Sequence, residues 1–241
     1  MRPADTGLFA INGKLPLTDA TRGWLPDAFV TRLNLVLPRE HAVLFVAPYL
    51  NGTTPDPQLP DHVFWASIAP RHRFGPELEQ ARSPEQLHRL VERRLVGWHP
   101  DLRRLVAESP PALTGSLPIT TGRPFTLGSR GQAPLTLLGD AVHPMTPLQG
   151  LGGNTALRDA SLLCRRLVDV QQGQSGLSEA LQSYERELVD DGFRAQQVSL
   201  RVAQLSVAGG LVARTGFRVL AQVARLVPSV RERVFPLDSP P

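Results

Sequence analysis

The chain has 241 residues, of which 41% are hydrophobic and 20% are charged, and its formal net charge is +4 at pH 7. This balance is typical of a folded globular protein and excludes a disordered chain. No apolar run reaches about 18 residues, so the sequence predicts no membrane-spanning helix. The first residues lack the basic-then-apolar layout of a secretory signal, which predicts a cytoplasmic protein.

The cysteine, histidine and arginine content narrows the function classes further. Cys164 is the only cysteine, which excludes an internal disulfide, and its apolar surroundings predict a buried side chain. The six histidines show no metal-ligand spacing, so no metal is predicted. Residues 193–241 hold seven arginines, but no aromatic or motif support accompanies them, and no nucleic-acid partner is predicted.

Three apolar segments near the start of the chain predict strands. They are "TRLNLVLP" (31–38), "HAVLFVAPYL" (41–50) and "HVFWASIAP" (62–70), separated by charged or proline-rich residues. Short runs rich in β-branched and aromatic residues between turn formers are typical of a small antiparallel sheet.

Helices follow these strands. Ser83 and Pro84 give a strong N-terminal signal for a helix whose apolar stripe includes Leu87 and Leu90. A second helix is predicted near Asp101, and residues 112–125 return to extended structure.

The second half of the chain is predicted to be mainly helical. The run "LTLL" (135–138) predicts a buried strand that ends at Gly139-Asp140, and a helix is predicted from about Asn154 to about residue 170. Ser178 predicts the cap of another helix, and a last helix is predicted over about 214–227. Strands first and helices last indicate an α+β fold, with an antiparallel sheet followed by a helical C-terminal region.

The segment between that strand and helix carries the clearest chemical signal. A carboxylate at the end of a strand, such as that of Asp140, can accept hydrogen bonds from ligand hydroxyls. Three glycines then precede the helix, whose free amides and positive dipole end favour an anion. The glycines do not form a dinucleotide fingerprint, because Thr155 stands where the third glycine of GxGxxG belongs.

The stretch "GDAVHPMTPLQGLGGNTALRDA" (139–160) closely resembles the second flavin-binding motif of the FAD-dependent aromatic hydroxylases, the family of para-hydroxybenzoate hydroxylase. The segments "DTGLFAINGKLPLT", "WHPDLRRLV" and "GRPFTLGSRGQAPLTLLGDA" are similar to the substrate-domain half of that family. The resemblance implies FAD as the cofactor, NAD(P)H as the electron donor and transfer of one oxygen atom from O₂ to an aromatic or polyketide-like small molecule.

The same resemblance implies the cofactor site and the domain boundaries. Asp140 would bind the ribityl chain of FAD, and the segment after it would line the isoalloxazine ring. The predicted cofactor-binding residues are Gly139, Asp140, Pro147, Gly150, Leu151, Gly152, Gly153 and Asn154. The predicted divisions are a substrate-binding part (1–133), the second FAD-binding motif as strand, loop and helix (134–172) and a C-terminal helical region (173–241).

Members of the family also carry an N-terminal βαβ unit with GxGxxG for the ADP part of FAD, and this sequence shows no such motif. We therefore expect a split enzyme that assembles with a separately encoded nucleotide-binding half, or a truncated product, and an unpaired edge on the "LTLL" strand would also allow a homo-oligomer. A non-catalytic flavoprotein fragment or interaction protein is the alternative. Whether the chain alone is an enzyme stays open.

Several side chains are open between a functional and a structural role, and no catalytic residue is assigned. Phe45, Phe64 and Trp65 are candidates for a substrate wall or for the core. His143 is a candidate proton carrier near the flavin or a structural residue of the loop, and Arg123 is a ligand contact or a solvated side chain. The basic helix predicted over 214–227 either lies on an anionic membrane surface or packs on its own domain.

Overall fold

The computed structural model describes residues 3–37, 42–52, 60–123 and 134–208. The chain packs as two compact units. One holds the described residues between Gly7 and Pro118, and the other holds those between Ile119 and Leu205 together with the first residues up to Thr6. The predicted boundaries at 134 and 173 stay predictions, and the helix predicted over 214–227 lies outside the described residues.

Five strands form one sheet: β1 (Ala4–Pro16), β2 (Asn34–Val36), β3 (Val43–Tyr49), β4 (His62–Pro70) and β5 (Gly115–Thr121), in the order β2-β3-β4-β1-β5. The pairs β2–β3, β3–β4 and β4–β1 are antiparallel. The predicted strands at 41–50 and 62–70 are confirmed, and the α+β fold is confirmed.

Two predictions for the sheet need correction. The strand predicted over 31–38 is reduced to the three residues of β2, because the residues before it form a short helix up to Thr31. β1, which lies between β4 and β5, was not predicted. Its polar and glycine residues interrupt the apolar alternation, and pairing with β4 along nine residues compensates for that weak local signal.

The first unit is completed by short helices: α1 (Asp19–Arg22), α2 (Asp27–Thr31), α3 (Glu77–Gln80), α4 (Pro84–Arg94) and α5 (Pro100–Ala107). The predicted start of α4 is confirmed, since the Ser83 hydroxyl accepts the Gln86 N–H and Pro84 occupies the first helical position. α5 begins at Pro100, one residue before the predicted Asp101.

One face of the sheet packs against α4 and α5. Trp65 is fully buried there, and its indole Nε1 donates to Ser109 Oγ at 2.8 Å. The indole crosses β1 at Gly13, where an ideal Cβ would lie only 2.3 Å from the ring. Trp65 is therefore a core residue and not part of a substrate wall. The buried cluster around it includes Phe9, Ile11, Leu15, Leu44, Val46, Val63, Leu90, Val91, Leu102, Leu105 and Val106.

The second unit consists mainly of two long helices, α6 (Leu151–Gln171) and α7 (Leu177–Val207). α6 begins three residues before the predicted Asn154. Ser178 lies inside α7 rather than capping it, because the helix already begins at Leu177. None of the helices in the described part of the chain has the length and hydrophobicity needed to cross a bilayer.

Candidate functional site

The segment before the Gly-Asp pair is not the predicted strand. Residues 134–138 have no assigned strand structure, although the backbone of Leu138 is extended with φ −149° and ψ 164°. Among the described residues no neighbouring strand pairs with this segment, and a strand requires such a partner. The segment instead lies on α7, where the Tyr184 hydroxyl donates to the Leu137 carbonyl at 3.0 Å and Thr136 Oγ1 donates to Glu185 Oε1 at 2.9 Å.

Tyr184 holds this segment with a fully buried phenol. Burial raises the pKa of Tyr184 well above its ordinary value, and the charges of Asp159 and Glu185 raise it further. The phenol therefore keeps its proton at all ordinary pH values and remains a hydrogen-bond donor to Leu137. Tyr184, Val142 and Leu188 form a small buried cluster with Leu137, Leu162 and Leu163 around it.

The Gly139-Asp140 turn requires a glycine for two reasons. Gly139 has φ +59°, which side chains other than glycine rarely adopt, and an ideal Cβ there would lie 3.1 Å from the Cβ of Ala156 on α6. This close approach brings the turn onto the first part of α6. The side chain of Asp140 is exposed at that position.

The loop after Asp140 is fixed by α7. Thr146 and Ser199 are both buried, and their hydroxyls are 2.6 Å apart, while Ser199 Oγ donates to the Thr146 carbonyl at 3.0 Å. Gln196 Nε2 donates to the Pro144 carbonyl at 2.8 Å, and the backbone N–H of Gly122 donates to the same oxygen at 2.7 Å. The loop is thus held by hydrogen bonds along its length, and Pro147, which begins a short 3₁₀ turn (Pro147–Gln149), is exposed.

α6 begins directly after this loop with an open backbone. Gly150 is the N-cap residue with φ +65°, and it has no side chain to accept a helix amide. An ideal Cβ at Gly153 would meet no atom within 4 Å, and one at Gly152 would lie 3.9 Å from Asp140 Oδ1. The first amides of a helix have no partner within it, so amide donors and a carboxylate acceptor stand side by side here.

These atoms fit the groups that FAD would present. The carboxylate of Asp140 can accept hydrogen bonds from the hydroxyls of a sugar-alcohol chain, and the amides of Gly152, Gly153 and Asn154 can donate to a carbonyl or to negative charge on a ring. The absence of Cβ atoms at Gly150, Gly152 and Gly153 leaves the backbone accessible to a flat ring system. Leu151 is buried at the helix start.

Asp159 is a site residue that the sequence interpretation missed. Its carboxylate is buried on α6, where Oδ2 accepts the Gly139 N–H at 2.9 Å and lies 2.7 Å from His143 Nε2. Leu151, Thr155 and Asp159 are spaced by four residues on the buried face of α6. An acidic residue on the apolar face of a helix is the sequence pattern from which Asp159 could have been predicted.

The remaining candidates have clear positions. His143 is fully buried, so it serves the structure of the loop and is not exposed to a ligand as a proton carrier would be. The side chain of Arg123 is exposed. Cys164 is exposed on α6, which corrects its predicted burial, because its position on the helix faces away from the stripe of Leu151, Thr155 and Asp159.

Comparisons with known proteins confirm the predicted family resemblance. Residues 126–198 match the model of a protein family described as FAD binding domain. The 6-hydroxynicotinate 3-monooxygenase of Bordetella bronchiseptica is 35% identical over 104 residues, which is 43% of this chain and 26% of that protein. The chain is thus related to FAD-dependent monooxygenases, and FAD is confirmed as the cofactor of the matched segment.

Solved structures confirm the fold. A protein from Photorhabdus luminescens described as an FAD containing monooxygenase has a TM-score of 0.73 and 30% identity, covering 86% of this chain and 56% of that one. HpxO of Klebsiella pneumoniae, complexed with FAD and uric acid, has a TM-score of 0.72 and 19% identity, covering 97% of this chain and 54% of that one. The chain therefore spans about half the length of these solved relatives.

Proposed function

We propose that this chain forms the substrate-side half of an FAD-dependent monooxygenase that hydroxylates a small aromatic molecule with NAD(P)H and O₂. The observation that carries the proposal is the position of Asp140, whose Oδ1 lies 3.9 Å from the Cβ position of Gly152 at the open start of α6. The family match over 126–198 includes both residues.

Each predicted cofactor-binding residue has a role in this proposal. Asp140 accepts hydrogen bonds from the ribityl hydroxyls, and Gly139 allows the turn that presents it. The amides of Gly152, Gly153 and Asn154 donate to the pyrimidine edge of the ring, while Gly150, Pro147 and Leu151 shape the loop and helix start beside it. When bound, FAD supplies the redox chemistry that activates O₂ with electrons from NAD(P)H. The helix start favours negative charge on the ring by its dipole and amides.

The sheet face opposite Trp65 supports an aromatic substrate. Phe45 and Phe64 pack edge to face there with ring centres 6.1 Å apart, and Tyr49 adds a third ring 6.0 Å from Phe64. Lys14 is paired with Phe64 across β1 and β4, so its ammonium group is on the same face. A planar apolar ring with an anionic substituent complements this surface. The names of relatives that act on 6-hydroxynicotinate or urate support this class of substrate.

The complete enzyme also needs a site for the ADP part of FAD. Because this chain spans only about half the length of the matched solved relatives, we propose that a nucleotide-binding half outside this sequence completes the site. The alternative of a non-catalytic fragment or interaction protein gains no support from the comparisons. A cytoplasmic location stays a prediction.

FAD titration of the purified chain tests the proposal. We expect quenching of flavin fluorescence on binding, and Asp140→Asn is expected to raise the Kd by about tenfold, because a charged hydrogen-bond acceptor is lost. Asp169→Asn is the matched control, since Asp169 lies on α6 in a surface ion pair with Arg166 and away from the loop. Equal Kd values for Asp140→Asn and the wild type would contradict the proposed site.

A further inference from the structure

One carboxylate oxygen contacts a residue just before Asp140 and another three residues after it. Asp159 Oδ2 accepts the backbone N–H of Gly139 at 2.9 Å and lies 2.7 Å from Nε2 of His143. The backbone N–H of His143 in turn donates to the Gly139 carbonyl at 3.0 Å. The turn that presents Asp140 is therefore tied on both sides, and Asp159 belongs to the same helix whose first turn carries Gly152.

The imidazole of His143 is held between two helices. It is fully buried, Asp159 of α6 contacts its Nε2, and Gly192 of α7 lies so close that an ideal Cβ there would be 2.2 Å from Cδ2. The ring has no space to rotate. Because His143 is fixed by both helices, the loop that contains His143 and Asp140 is held in place relative to α6 and α7.

The surroundings of the two ring nitrogens favour one tautomer of His143. Nδ1 of His143 is buried and has no hydrogen-bond partner in the described part of the chain. A neutral ring protonated on Nδ1 would leave a buried N–H without an acceptor, and it would also direct a lone pair of Nε2 at the carboxylate. The neutral ring with its proton on Nε2 donates to Asp159 and leaves only an unprotonated nitrogen unpaired.

We propose that Asp159 is a positioning residue for cofactor binding: through Gly139 and the Nε2–H of His143, it holds the Gly139-Asp140 turn on α6 so that the carboxylate of Asp140 is oriented before FAD arrives. This inference rests on the proposed function for the identity of the ligand, but the geometry that it assigns can be measured without any ligand. Asp159 itself does not touch the cofactor in this proposal. It lowers the cost of binding by fixing the acceptor in advance.

The experiment compares Asp159→Ala, Asp159→Asn and the control Asp169→Asn in the full chain. Amide hydrogen exchange at Gly139 and the ¹⁵N spectrum of the His143 imidazole are recorded without FAD, and the Kd for FAD is measured in parallel. We expect Asp159→Ala to accelerate exchange at Gly139 and to raise the Kd by about tenfold or more, because an anchoring charged hydrogen bond is lost.

Asp159→Asn provides the conservative rescue. Its side-chain oxygen can take the place of Oδ2 and still accept both the Gly139 N–H and the Nε2–H of His143, so we expect slow exchange, an unchanged tautomer and recovery of most of the affinity. Asp159→Leu, which fills similar space without an acceptor, is expected to behave like Asp159→Ala, and a purely space-filling role would not produce that result. Asp169→Asn is expected to match the wild type in all three measurements.

Two outcomes would overturn the inference, and both are independent of the proposed function. One is a wild-type spectrum in which Nε2 of His143 carries no proton, and the other is unchanged Gly139 exchange in Asp159→Ala. If Asp159→Ala does not fold, the ¹⁵N spectra of His143 in the wild type and in Asp159→Asn still test the inference. Failure of the wild-type chain to bind FAD would count against the proposed function alone, because the exchange and tautomer results would still test the positioning.

Discussion

Gly192 is the residue at which α7 passes over the ring of His143. An ideal Cβ there would lie 2.2 Å from Cδ2 and 2.8 Å from Cγ, and Asp159 prevents the ring from moving away. We expect Gly192→Ala to lower the free energy of unfolding by about 1–3 kcal/mol, the usual cost of overpacking a buried site. Urea denaturation followed by circular dichroism measures the change.

Gly153→Ala is the matched control for Gly192→Ala. Gly153 is also in a helix, but a Cβ there would meet no atom within 4 Å. Since alanine is the better helix former, we expect this variant to be as stable as the wild type or more stable by up to about 1 kcal/mol. Equal stability losses in the two variants would show that helix α7 does not pack against His143 as described.

The sequence allowed some of these residues to be predicted and not others. Asp140 and the glycines of 150–153 were found because they lie within one short segment whose order itself indicates a turn, a loop and a helix start. Asp159 and Gly192 were missed because their importance comes from His143, which lies 16 and 49 residues away in the chain. Contacts of that kind leave no local pattern except a polar residue on a buried helix face.

Among the elements, α4 shows how a helix start can be predicted while its packing cannot. Ser83 and Pro84 define its first turn from local chemistry alone. The prediction of a strand over 135–138 was wrong because it depended on a distant partner and not on local chemistry. A strand exists only with a partner strand, and the apolar residues of this segment could equally cover a helix. Its half-buried side chains, Thr136 and Leu137, lie against α7 instead.

His88, the buried histidine of α4, makes the stability of the folded protein depend on pH. His88 is buried against Trp65 with ring centres 6.0 Å apart, and its Nδ1 lies 3.0 Å from Thr114 Oγ1. Desolvation lowers the pKa of His88, and the partly opposing charge of Glu92 does not cancel this effect. The folded state therefore binds the proton less readily than the unfolded chain does.

The direction in which stability changes with pH follows from the difference between the folded and the unfolded pKa of His88. The stability that neutral His88 contributes is complete above the unfolded pKa of about 6.5 and is lost as the pH falls toward the folded value. We expect the free energy of unfolding of the wild type to fall below pH 6.5 more steeply than that of His88→Gln, by up to about 1.4 kcal/mol per pH unit. Urea denaturation from pH 7.5 to pH 5 measures both curves, and parallel curves would contradict the prediction.

At the scale of the whole molecule, the unit built on α6 and α7 exposes apolar side chains beside the candidate cofactor site. Leu157 is 70% exposed, Leu135 is 59% exposed and Leu138 is 41% exposed. Leu138 precedes Gly139 and Leu157 follows Ala156, and an ideal Cβ at Gly139 would lie 3.1 Å from the Cβ of Ala156. Large apolar side chains exposed in the same part of a protein are typical of a site that another protein covers.

The proposed nucleotide-binding half would cover this surface, and in its absence we expect the purified chain to self-associate. Sedimentation velocity at increasing concentration should show growing species for the wild type and less association for the double variant Leu138→Ser with Leu157→Ser. The matched control is Val96→Ser with Leu113→Ser, because both side chains are also exposed, at 71% and 45%, but belong to the other unit. A wild-type chain that stays monomeric, or equal effects of the two double variants, would show that the surface beside Asp140 is not an interface.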